Sequence, residues 1–481
     1  MRHQKQNFRA AEVRNRGCPF CTKDSAIYLT VLLPPDFPTT HTTPIPFKML
    51  KQVIFPILLC LCSLCACDDS DSNSAPAEPS PFPTEVGRRT VLIYCAAQNN
   101  LGATNRYGSS NWTKDSLELV AGKHFIDEKD RLLVFVDDAF YPRLYRFQAN
   151  IHPQLVYQWG YEANSSNPAT LYDVLTRVKE QFTAQEYGLT MWSHADGWIP
   201  SSNTNYATSP LSFGVDVGEG GNLSNNSSAD GKLGAQMNIS DMANAIKQSG
   251  LHFKYIFFDA CLMQCVESGY DLREVTDYVV ASPISIASNG AYYTHILERG
   301  LFSENPCDIA QTYYEDVSSE ELQKEYDDFG IVISALKTSE LDPLAKILRE
   351  ALQDVDFEAY PKLSGAHAYH VYSSYYDYRP HYFDMRSALR HLLPEQRFEE
   401  VDKALSRAIP FFAATQRYWV GPSYIYPAQY HHLDATECCG VSMFIPQQIY
   451  TQNASRSSYG DHNESYRLTS WAQAIGKGRE E

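Results

Sequence analysis

The sequence predicts an α/β fold in which a mostly parallel sheet is covered by helices on both faces. Two observations lead to this prediction. Strand-like and helical runs alternate through residues 88–283, and each main strand-like run is almost continuously apolar. Strands buried on both faces of a parallel sheet have that composition, and the alternation is typical of helices that connect parallel strands. With 481 residues, the chain is long enough to bury a large core.

The strands are predicted from the apolar runs in chain order. Buried strands are expected at 88–97, 130–139, 187–194, 254–260 and 277–283. Apolar and polar residues alternate in 143–149 and again in 154–160. That alternation predicts an antiparallel hairpin at one side of the sheet.

Helices and loops complete the prediction. A helix is expected at 167–182 after a polar cap residue, and another at 238–250, ending at Gly250. The segment 214–234 is rich in Gly, Asn and Ser, so we expect an exposed, mobile loop. Beyond about Ser318 amphipathic runs predict helical C-terminal additions, and the chain closes with an apparent strand at 438–446.

Two reactive side chains follow neighbouring predicted strands. His194 ends one strand-like run, and Cys261 comes directly after another. Ligands of parallel sheets bind beyond the carboxyl ends of the strands, so we expect both side chains at one edge. A helix predicted close behind Cys261 would direct its N-terminal dipole at the sulfur and favour the thiolate. Cys265 would lie inside that helix as buried packing.

The same two residues have a purely structural interpretation. A lone cysteine is usually a small buried side chain, so placement at strand ends leaves the catalytic and structural interpretations about equally supported. The sequence contains no motif that would indicate another kind of chemistry: it lacks GxSxG, HExxH, GxxxxGK[ST] and a helix-opening GxGxxG. His431 and His432 with Cys438 and Cys439 lack the regular spacing of metal ligands, so no metal site is predicted. The net charge of -17 argues against nucleic acid as a partner.

Several motifs together resemble those of a known family. "MWSHADGW" and "FFDACLM" resemble the histidine and cysteine motifs of the clostripain-like cysteine peptidases (family C11), relatives of caspases, gingipains and legumains. "RTVLIYCAAQNNL", "SFGVD", "ASPISIASNGAYY" and "CCGVSMFIP" are also similar to segments of that family. The resemblance covers roughly residues 88–476. It implies a caspase-like α/β/α sandwich and acyl-transfer chemistry.

The resemblance also implies roles for individual residues. Cys261 would attack the scissile carbonyl, and His194 would protonate the leaving amine. Backbone N–H groups of Cys261 and Ala195 would hold the oxyanion. Ala195 stands where caspases carry glycine, and alanine still donates an N–H. An amidase or transpeptidase that uses the same pair remains open, because the chemistry is shared.

Substrate preference is less defined by the resemblance. Family members of known preference cleave after Arg or Lys and use an acidic residue two positions before the cysteine, which matches Asp259. Tyr292 stands where a second acidic residue would lie, so half of the acidic pocket is replaced by a phenol. Asp259 has an alternative interpretation as the N-cap of the following helix. A basic P1 residue is therefore one option among several.

Processing and calcium are two further expectations from the family. Members are often zymogens cleaved between the two motifs, and Lys232 is the only basic residue of the loop 214–234. Self-cleavage after Lys232 is therefore a prediction. Some relatives need calcium, and the acidic loops of this chain allow calcium binding, although they show no EF-hand spacing. No other cofactor is expected.

The N-terminal region has the features of an export signal. Residues 49–66 combine a short basic start with an apolar run at 53–64 that is short for a membrane span. Cys67 follows in a sequence that resembles a bacterial lipobox, so we expect it to carry lipid. A secretory signal or a small anchor is the alternative. The Ser- and Pro-rich segment 67–87 would be a flexible tether, and 1–48 an extension that is not part of the native protein.

These expectations lead to two functional hypotheses for residues 88–476. The first is a lipid-anchored cysteine endopeptidase of the cell envelope, an outer-membrane lipoprotein that faces the periplasm or the cell surface and acts on proteins or peptides. The second is a surface lipoprotein of the same fold that has lost catalysis and binds protein or glycan. Retention of both His194 and Cys261 favours the enzyme.

Overall fold

A nine-stranded sheet forms the centre of the structure. The computed structural model describes residues 80–479 apart from 106, 201–211, 321, 323–329, 361, 375–376, 420–429 and 452–461. The strands of the main sheet are β1 (Gly87–Ala96), β2 (Arg131–Asp137), β3 (Arg143–Gln148), β4 (Ile151–Gln158), β5 (Ala184–Trp192), β8 (Tyr255–Asp259), β9 (Tyr278–Ala281), β10 (Val332–Lys337) and β13 (Phe411–Ala414). Their order across the sheet is β13-β10-β9-β8-β5-β1-β2-β3-β4.

The five central strands are parallel and the outer ones are antiparallel. β1 pairs in parallel with β2 and β5, β5 with β8, and β8 with β9. The hairpin β3–β4 continues the sheet from β2, while β10 and β13 extend it beyond β9. The predicted mostly parallel sheet and the predicted hairpin are therefore both confirmed.

Helices cover both faces of this sheet. Leu92 and Tyr94 of β1 point into one apolar core, whereas Val91 and Ile93 point into the other. The alternation follows from the two-residue period of a strand and explains why the run is continuously apolar. The described helices are α1 (Asn111–Gly122), α2 (Pro168–Gln181), α3 (Ile239–Ser249), α4 (Val266–Leu272), α5 (Tyr293–Arg299), α6 (Cys307–Ser318), α7 (Leu341–Ala351), α8 (Met385–Leu392), α9 (Glu395–Ala408), α10 (Gln448–Thr451), α11 (His462–Arg467) and α12 (Ser470–Ala474).

The caps of the two helices predicted between strands are where the sequence placed them. The side chain of Asn167 accepts a hydrogen bond from the N–H of Ala169 at the start of α2. Gly250 ends α3 in the left-handed conformation, with φ of 69°. Both residues relieve the unpaired backbone groups of a helix end, which explains why local sequence sufficed to locate these ends.

The C-terminal part contains more strand than the sequence predicted. Helices α7, α8 and α9 are present, but β10 and β13 join the main sheet, and three smaller sheets accompany it. The strands of these are β6 (Phe213–Asp216) with β7 (Ala235–Met237), β11 (Ala368–Ser374) with β12 (Asp377–Asp384) and β16 (Ser442–Met443), and β14 (Arg417–Trp419) with β15 (Tyr430–His432). The strand expected over 438–446 reduces to β16, because only these two residues pair with β12.

The N-terminal predictions concern residues that lie outside the described part of the chain. These are the extension 1–48, the signal 49–66, the lipid attachment residue Cys67 and most of the tether 67–87. Within the described residues, none of the helices has the length and apolar character to span a bilayer.

Candidate active site

The strand register brings the two predicted catalytic residues to one edge of the sheet. Trp192, the last residue of β5, pairs with Asp259, the last residue of β8. His194 and Cys261 each lie two residues beyond these partners, so they leave neighbouring parallel strands at the same level. The fold therefore places both residues at one edge of the sheet, as expected from the polarity of parallel strands.

The two turns that carry these residues pack directly on each other. A Cβ at Gly197 would lie 2.8 Å from the carbonyl oxygen of Leu262, and the φ of Gly197 is 68°. Both the close approach and the positive φ require glycine. On the other side, the hydroxyl of Tyr382 donates to the carbonyl oxygen of Asp196 over 2.6 Å. The turn after His194 is thus held between the turn after Cys261 and strand β12.

The backbone after Cys261 is strained rather than helical. Leu262 has a φ of 61°, which is unfavourable for a branched side chain, and its N–H donates to the carbonyl of Ile284 over 3.0 Å. Helix α4 begins only at Val266, and Cys265 is its N-cap. The predicted helix directly behind Cys261, with its dipole aimed at the sulfur, is therefore wrong. Cys265 is buried as expected, but it precedes the helix and its thiol donates to the hydroxyl of Ser268.

Cys261 is half-buried and its thiol is kept protonated. Its Sγ lies 3.9 Å from the carbonyl oxygen of Ile286. Burial raises the pKa of the thiol to about 11, and the negative charges of Asp196 and Asp259 act in the same direction. A thiolate would be desolvated and close to two carboxylates, so the resting form is the neutral thiol.

His194 is also half-buried, and it is neutral. Its Nε2 lies 2.6 Å from the side-chain oxygen of Asn100. Burial lowers the pKa of the imidazole to about 4. Since an amide oxygen only accepts, Nε2 carries the proton and Nδ1 has the free lone pair. Among the described side chains, no hydrogen bond joins His194 to Cys261.

The turn that holds His194 was not identified as functional from the sequence. The side-chain N–H groups of Asn99 donate to the carbonyls of Ala96 and Val215 and to the hydroxyl of Ser193. These bonds fix the turn after β1 and so present Asn100 to the imidazole. The signal was the Asn-Asn pair directly after a buried strand, since polar residues there lie at the ligand-binding edge.

Two backbone N–H groups in these turns are available to a ligand. Among the described residues, the N–H groups of Ala195 and Cys261 have no hydrogen-bond partner, although their neighbours do: the N–H of Asp196 donates to Ser212. Buried backbone donors are normally paired, so two unpaired ones at a strand edge indicate a site for an external acceptor.

Asp259 is fully enclosed by the segment that follows β9. Its carboxylate accepts hydrogen bonds from the N–H of Ala291 and the hydroxyl of Tyr293. A Cβ at Gly290 would lie 2.6 Å from its Oδ2. Burial raises the pKa of Asp259 to about 6. The alternative in which Asp259 caps a helix is wrong, because it is the last residue of β8 and its bonds go to this segment.

Tyr292 lies next to this enclosure but does not form it. Its ring is half-buried and stacks on His295 at 6.4 Å between ring centroids. The phenol that contacts Asp259 belongs to the next residue, Tyr293. The structure therefore brings Asp259 and the segment around Tyr292 together, with a different tyrosine in contact.

Two further carboxylates lie near Asp259 and were missed by the sequence. Asp115 on α1 accepts from Nε1 of Trp192 over 2.8 Å, and Glu118, one turn later, accepts from the N–H of Tyr293 over 2.8 Å. Burial raises the pKa of Asp115 to about 9 and also raises that of Glu118, and in both the charge of Asp259 adds to the effect. Asp115 and Glu118 are three residues apart in a helix, and this spacing was the signal in the sequence that both side chains lie on the same face.

The loop 214–234 is ordered by internal hydrogen bonds. Lys232 is exposed, forms a 3.0 Å ion pair with Asp230, and its carbonyl accepts from the N–H of Ser228. The side-chain oxygen of Asn226 accepts from the N–H of Asn100 over 2.8 Å. The prediction of an exposed loop is confirmed for 218–233 but is wrong for 214–217, which are buried and mostly belong to β6. The exposed part contacts the same turn that holds His194.

Comparisons with known proteins agree with this arrangement. Residues 93–477 match the model of the clostripain family, peptidase family C11. Clostripain of Hathewaya histolytica is 28% identical over 234 residues, which is 44% of this chain and 41% of that protein, so the match spans less than half the length of this relative.

Two solved structures share most of the fold. A secreted C11 cysteine protease from Bacteroides thetaiotaomicron, solved with an irreversible peptide inhibitor, is 26% identical, with a TM-score of 0.63 over 81% of this chain and 99% of that one. An inactive zymogen C11 protease from Parabacteroides distasonis is 24% identical, with a TM-score of 0.64 over 82% of this chain and 99% of that one. The second supports the fold alone.

Proposed function

The chain belongs to the clostripain family of cysteine endopeptidases, and from this we propose that it hydrolyses peptide bonds with Cys261 as nucleophile and His194 as proton donor. The observation that carries the proposal is the pair of turns at the ends of β5 and β8, which present a thiol, an imidazole and two unpaired N–H groups at one sheet edge. These are the parts that acyl transfer needs.

The proposed reaction has two stages. In the first, the thiol of Cys261 gives its proton to Nδ1 of His194 and its sulfur bonds to the scissile carbonyl carbon, while the N–H groups of Ala195 and Cys261 bind the developing oxyanion. Collapse of that intermediate breaks the C–N bond, and the imidazole gives a proton to the leaving amine. In the second stage, water gives a proton to the imidazole and its oxygen attacks the thioester carbon. The C–S bond then breaks, the acid is released, and the imidazole returns the proton to the sulfur, which restores the thiol.

The neutral thiol of Cys261 and the neutral imidazole of His194 suit this order of steps. With a thiol pKa of about 11 and an imidazole pKa of about 4, the resting enzyme holds no thiolate–imidazolium pair. The sulfur would be activated only when substrate displaces water and His194 comes within reach. Nε2 of His194 is held by Asn100, so Nδ1 is the nitrogen left to exchange protons.

A basic P1 residue is the preference that the charges favour. The charge of Asp259 raises the pKa of both Asp115 and Glu118, and none of the three carboxylates forms a salt bridge with a described Lys, Arg or His. A guanidinium or ammonium group would relieve this repulsion and accept several charge-assisted hydrogen bonds. Entry of such a side chain requires the segment at Gly290–Tyr293 to move away from Asp259.

Self-cleavage after Lys232 is proposed as the activation step. The intact loop contacts Asn100 through Asn226, and Asn100 in turn contacts His194. Cutting the chain after Lys232 would free this loop from Asn100, so that Asn100 and the imidazole it holds can move together towards the sulfur. The carbonyl of Lys232 is bonded to Ser228, so the turn has to open before it can be cut.

An envelope location with a lipid on Cys67 is proposed from the leader sequence and from a secreted relative in Bacteroides. Labelling the full chain with radioactive palmitate in a bacterial host tests this. Cys67→Ser should lose both the label and detergent partitioning. A labelled Cys67→Ser variant would place the lipid elsewhere.

The peptidase proposal is tested with the purified full chain and a diverse peptide library read by mass spectrometry. Wild type and Cys265→Ala should cleave, and Cys261→Ala should not. The Cys265 variant is a matched control, because that thiol is buried four residues away. Equal cleavage by Cys261→Ala would refute the nucleophile. No cleavage by any form, even after nicking at Lys232 by an added protease, would favour the binding lipoprotein.

A further inference from the structure

Two arginine side chains lie together on one face of the main sheet, at the edge opposite the candidate active site. Arg131 is the first residue of β2, and Arg146 of β3 pairs with Leu133, two residues further along β2. Side chains two residues apart on a strand share a face, and so do those of paired residues. The two arginines are therefore diagonal neighbours, with backbones roughly 7–8 Å apart.

Both arginines are almost fully buried without a carboxylate partner. Arg131 and Arg146 are each 7% exposed. Charged side chains buried to this degree are normally paired with an opposite charge. In the described part of the chain, no Asp or Glu forms an ion pair with either of them. Asp130, which directly precedes Arg131, pairs with Arg88 instead.

The hydrogen bonds of the two guanidinium groups leave one buried donor on each. Nη1 of Arg131 donates to the carbonyls of Glu128 and Asp130 over 2.6 and 2.9 Å. Nη1 of Arg146 donates to the carbonyl of Pro81 over 2.7 Å. Nε of each arginine is buried and has no hydrogen-bond partner among the residues that the structure describes. Buried donors are normally satisfied, so these two indicate an acceptor from outside the chain.

Electrostatics indicates that this acceptor is an anion. Burial and the charge of Arg131 lower the pKa of Arg146 to about 10. The fold thus holds two like charges in a poorly solvated place, and the acceptors that the described residues offer them are neutral carbonyls. An anion bound between the two guanidinium groups would remove their repulsion and accept from both Nε atoms.

We propose that Arg131 and Arg146 form a binding site for a phosphate dianion, either free or as a monoester. The Nε side of a guanidinium group presents two parallel N–H groups, a fork that matches two oxygens of a phosphate. A phosphate monoester carries about two negative charges and three acceptor oxygens, so it can serve two forks at once. A carboxylate has one charge and two oxygens, which suffice for a single fork.

The site lies where the chain enters the folded domain from its N-terminal segment. Arg146 holds the carbonyl of Pro81, and the ring of Phe82 lies 6.0 Å from that of Phe182 between centroids. Two sources of phosphate fit this place: the monoester head group of a lipid, on the side from which the proposed tether arrives, and free phosphate. The lipid source rests on the proposed lipid at Cys67, whereas the anion site itself does not.

The competing explanation is that both arginines only hold the backbone at Pro81 and in the turn before β2. Calorimetric titration of sodium phosphate, and separately of dihexanoyl phosphatidic acid below its micelle concentration, into the full chain carrying Cys261→Ala separates the two. We expect one saturable site per chain for at least one of these ligands. Binding of inorganic phosphate would show that the free ion suffices, and binding of the lipid alone would identify the head group. Saturable binding of neither ligand would overturn the proposal.

Variants locate the site. Arg131→Gln and Arg146→Gln should each weaken binding at least about tenfold, because each loses charge-assisted hydrogen bonds. Arg146→Lys keeps the charge but lacks the fork, and it should also bind more weakly. Arg177→Gln is the matched control, since that guanidinium group already pairs with Asp173 on α2. Unchanged binding by Arg146→Lys would refute the site even if both glutamine variants failed to fold.

Discussion

Nε2 of His194 donates to the side-chain oxygen of Asn100 over 2.6 Å, which fixes both the tautomer and the orientation of the imidazole. A partner on the second ring nitrogen is how proteins set which nitrogen is basic. Asn100 does not need to touch the substrate to serve this purpose. In the proposed mechanism Asn100 is a positioning residue, and its effect on catalysis can be separated from its effect on folding.

Replacing Asn100 should impair catalysis without unfolding the protein. Asn100→Ala should lower kcat by about 10–100-fold and leave KM nearly unchanged, as for other residues that orient a catalytic histidine. Asn99→Ala should instead lower the melting temperature, because Asn99 forms three buried hydrogen bonds that hold the turn. Equal losses of stability in the two variants would show that Asn100 is merely structural.

Alkylation of Cys261 should increase steeply with pH. The pKa of the thiol is raised to about 11, so the reactive thiolate fraction should grow about tenfold per pH unit between pH 7 and 9. Iodoacetamide labelling followed by mass spectrometry of the Cys261 peptide measures this. A plateau reached below pH 7 would mean that a cation pairs with the sulfur in solution.

Substitution of Asp259 should alter the preference for basic substrates. Asp259→Asn should lower kcat/KM for Arg and Lys substrates by at least about tenfold while affecting Leu substrates little. For wild type, KM for an Arg substrate should fall as pH rises through about 6, since the carboxylate forms there. Asp277→Asn, an exposed acid before β9, is the control. Preserved Arg preference in Asp259→Asn would remove this residue from the pocket.

The charge state of Asp115 should affect stability. Its pKa is raised from 3.8 to about 9, so the folded protein holds this proton more tightly than the unfolded chain does. Stability from this residue is therefore fully present below about pH 4 and is lost progressively as pH rises towards 9. At pH 7 the loss is on the order of 4 kcal/mol, taking about 1.36 kcal/mol per pH unit.

Asp115→Asn should recover part of that stability. Asparagine carries no charge, and its oxygen still accepts from Nε1 of Trp192, so urea unfolding at pH 8 should require more denaturant than for wild type. Asp173→Asn is the matched control, because Asp173 also accepts from a tryptophan N–H but its side chain is 41% exposed and already pairs with Arg177. A less stable Asp115→Asn variant at pH 8 would contradict the assignment.

Leu262, the strained residue after Cys261, should be replaceable by glycine. Leu262→Gly should relieve the backbone strain of a φ of 61°, which costs about 1 kcal/mol of stability. It also removes a buried side chain that contributes about 2 kcal/mol or more to stability. The net expectation is modest destabilisation with a larger loss of kcat, since the turn that aims the sulfur loosens. Chemical denaturation and single-turnover kinetics measure the two effects. Unchanged kcat would show that the strain is unrelated to catalysis.

The sequence by itself determined the strand and helix pattern of the α/β core and the edge at which His194 and Cys261 meet. Continuous apolar runs specify doubly buried strands, and strand polarity specifies which end carries reactive groups. Local caps such as Asn167 and Gly250 were equally readable, because the bonds they make lie within a few residues. None of these features depends on distant parts of the chain.

Only the tertiary structure decided what surrounds those residues. The bonds of Asp259 to the segment at Gly290–Tyr293 and of Asn100 to His194 join residues far apart in the chain. The pairing of β10 with β13 also joins distant residues, and it was not predicted because the C-terminal region has mostly helical sequence patterns. Such contacts form when separate elements pack, and the electrostatic environment that sets each pKa exists only after they have packed.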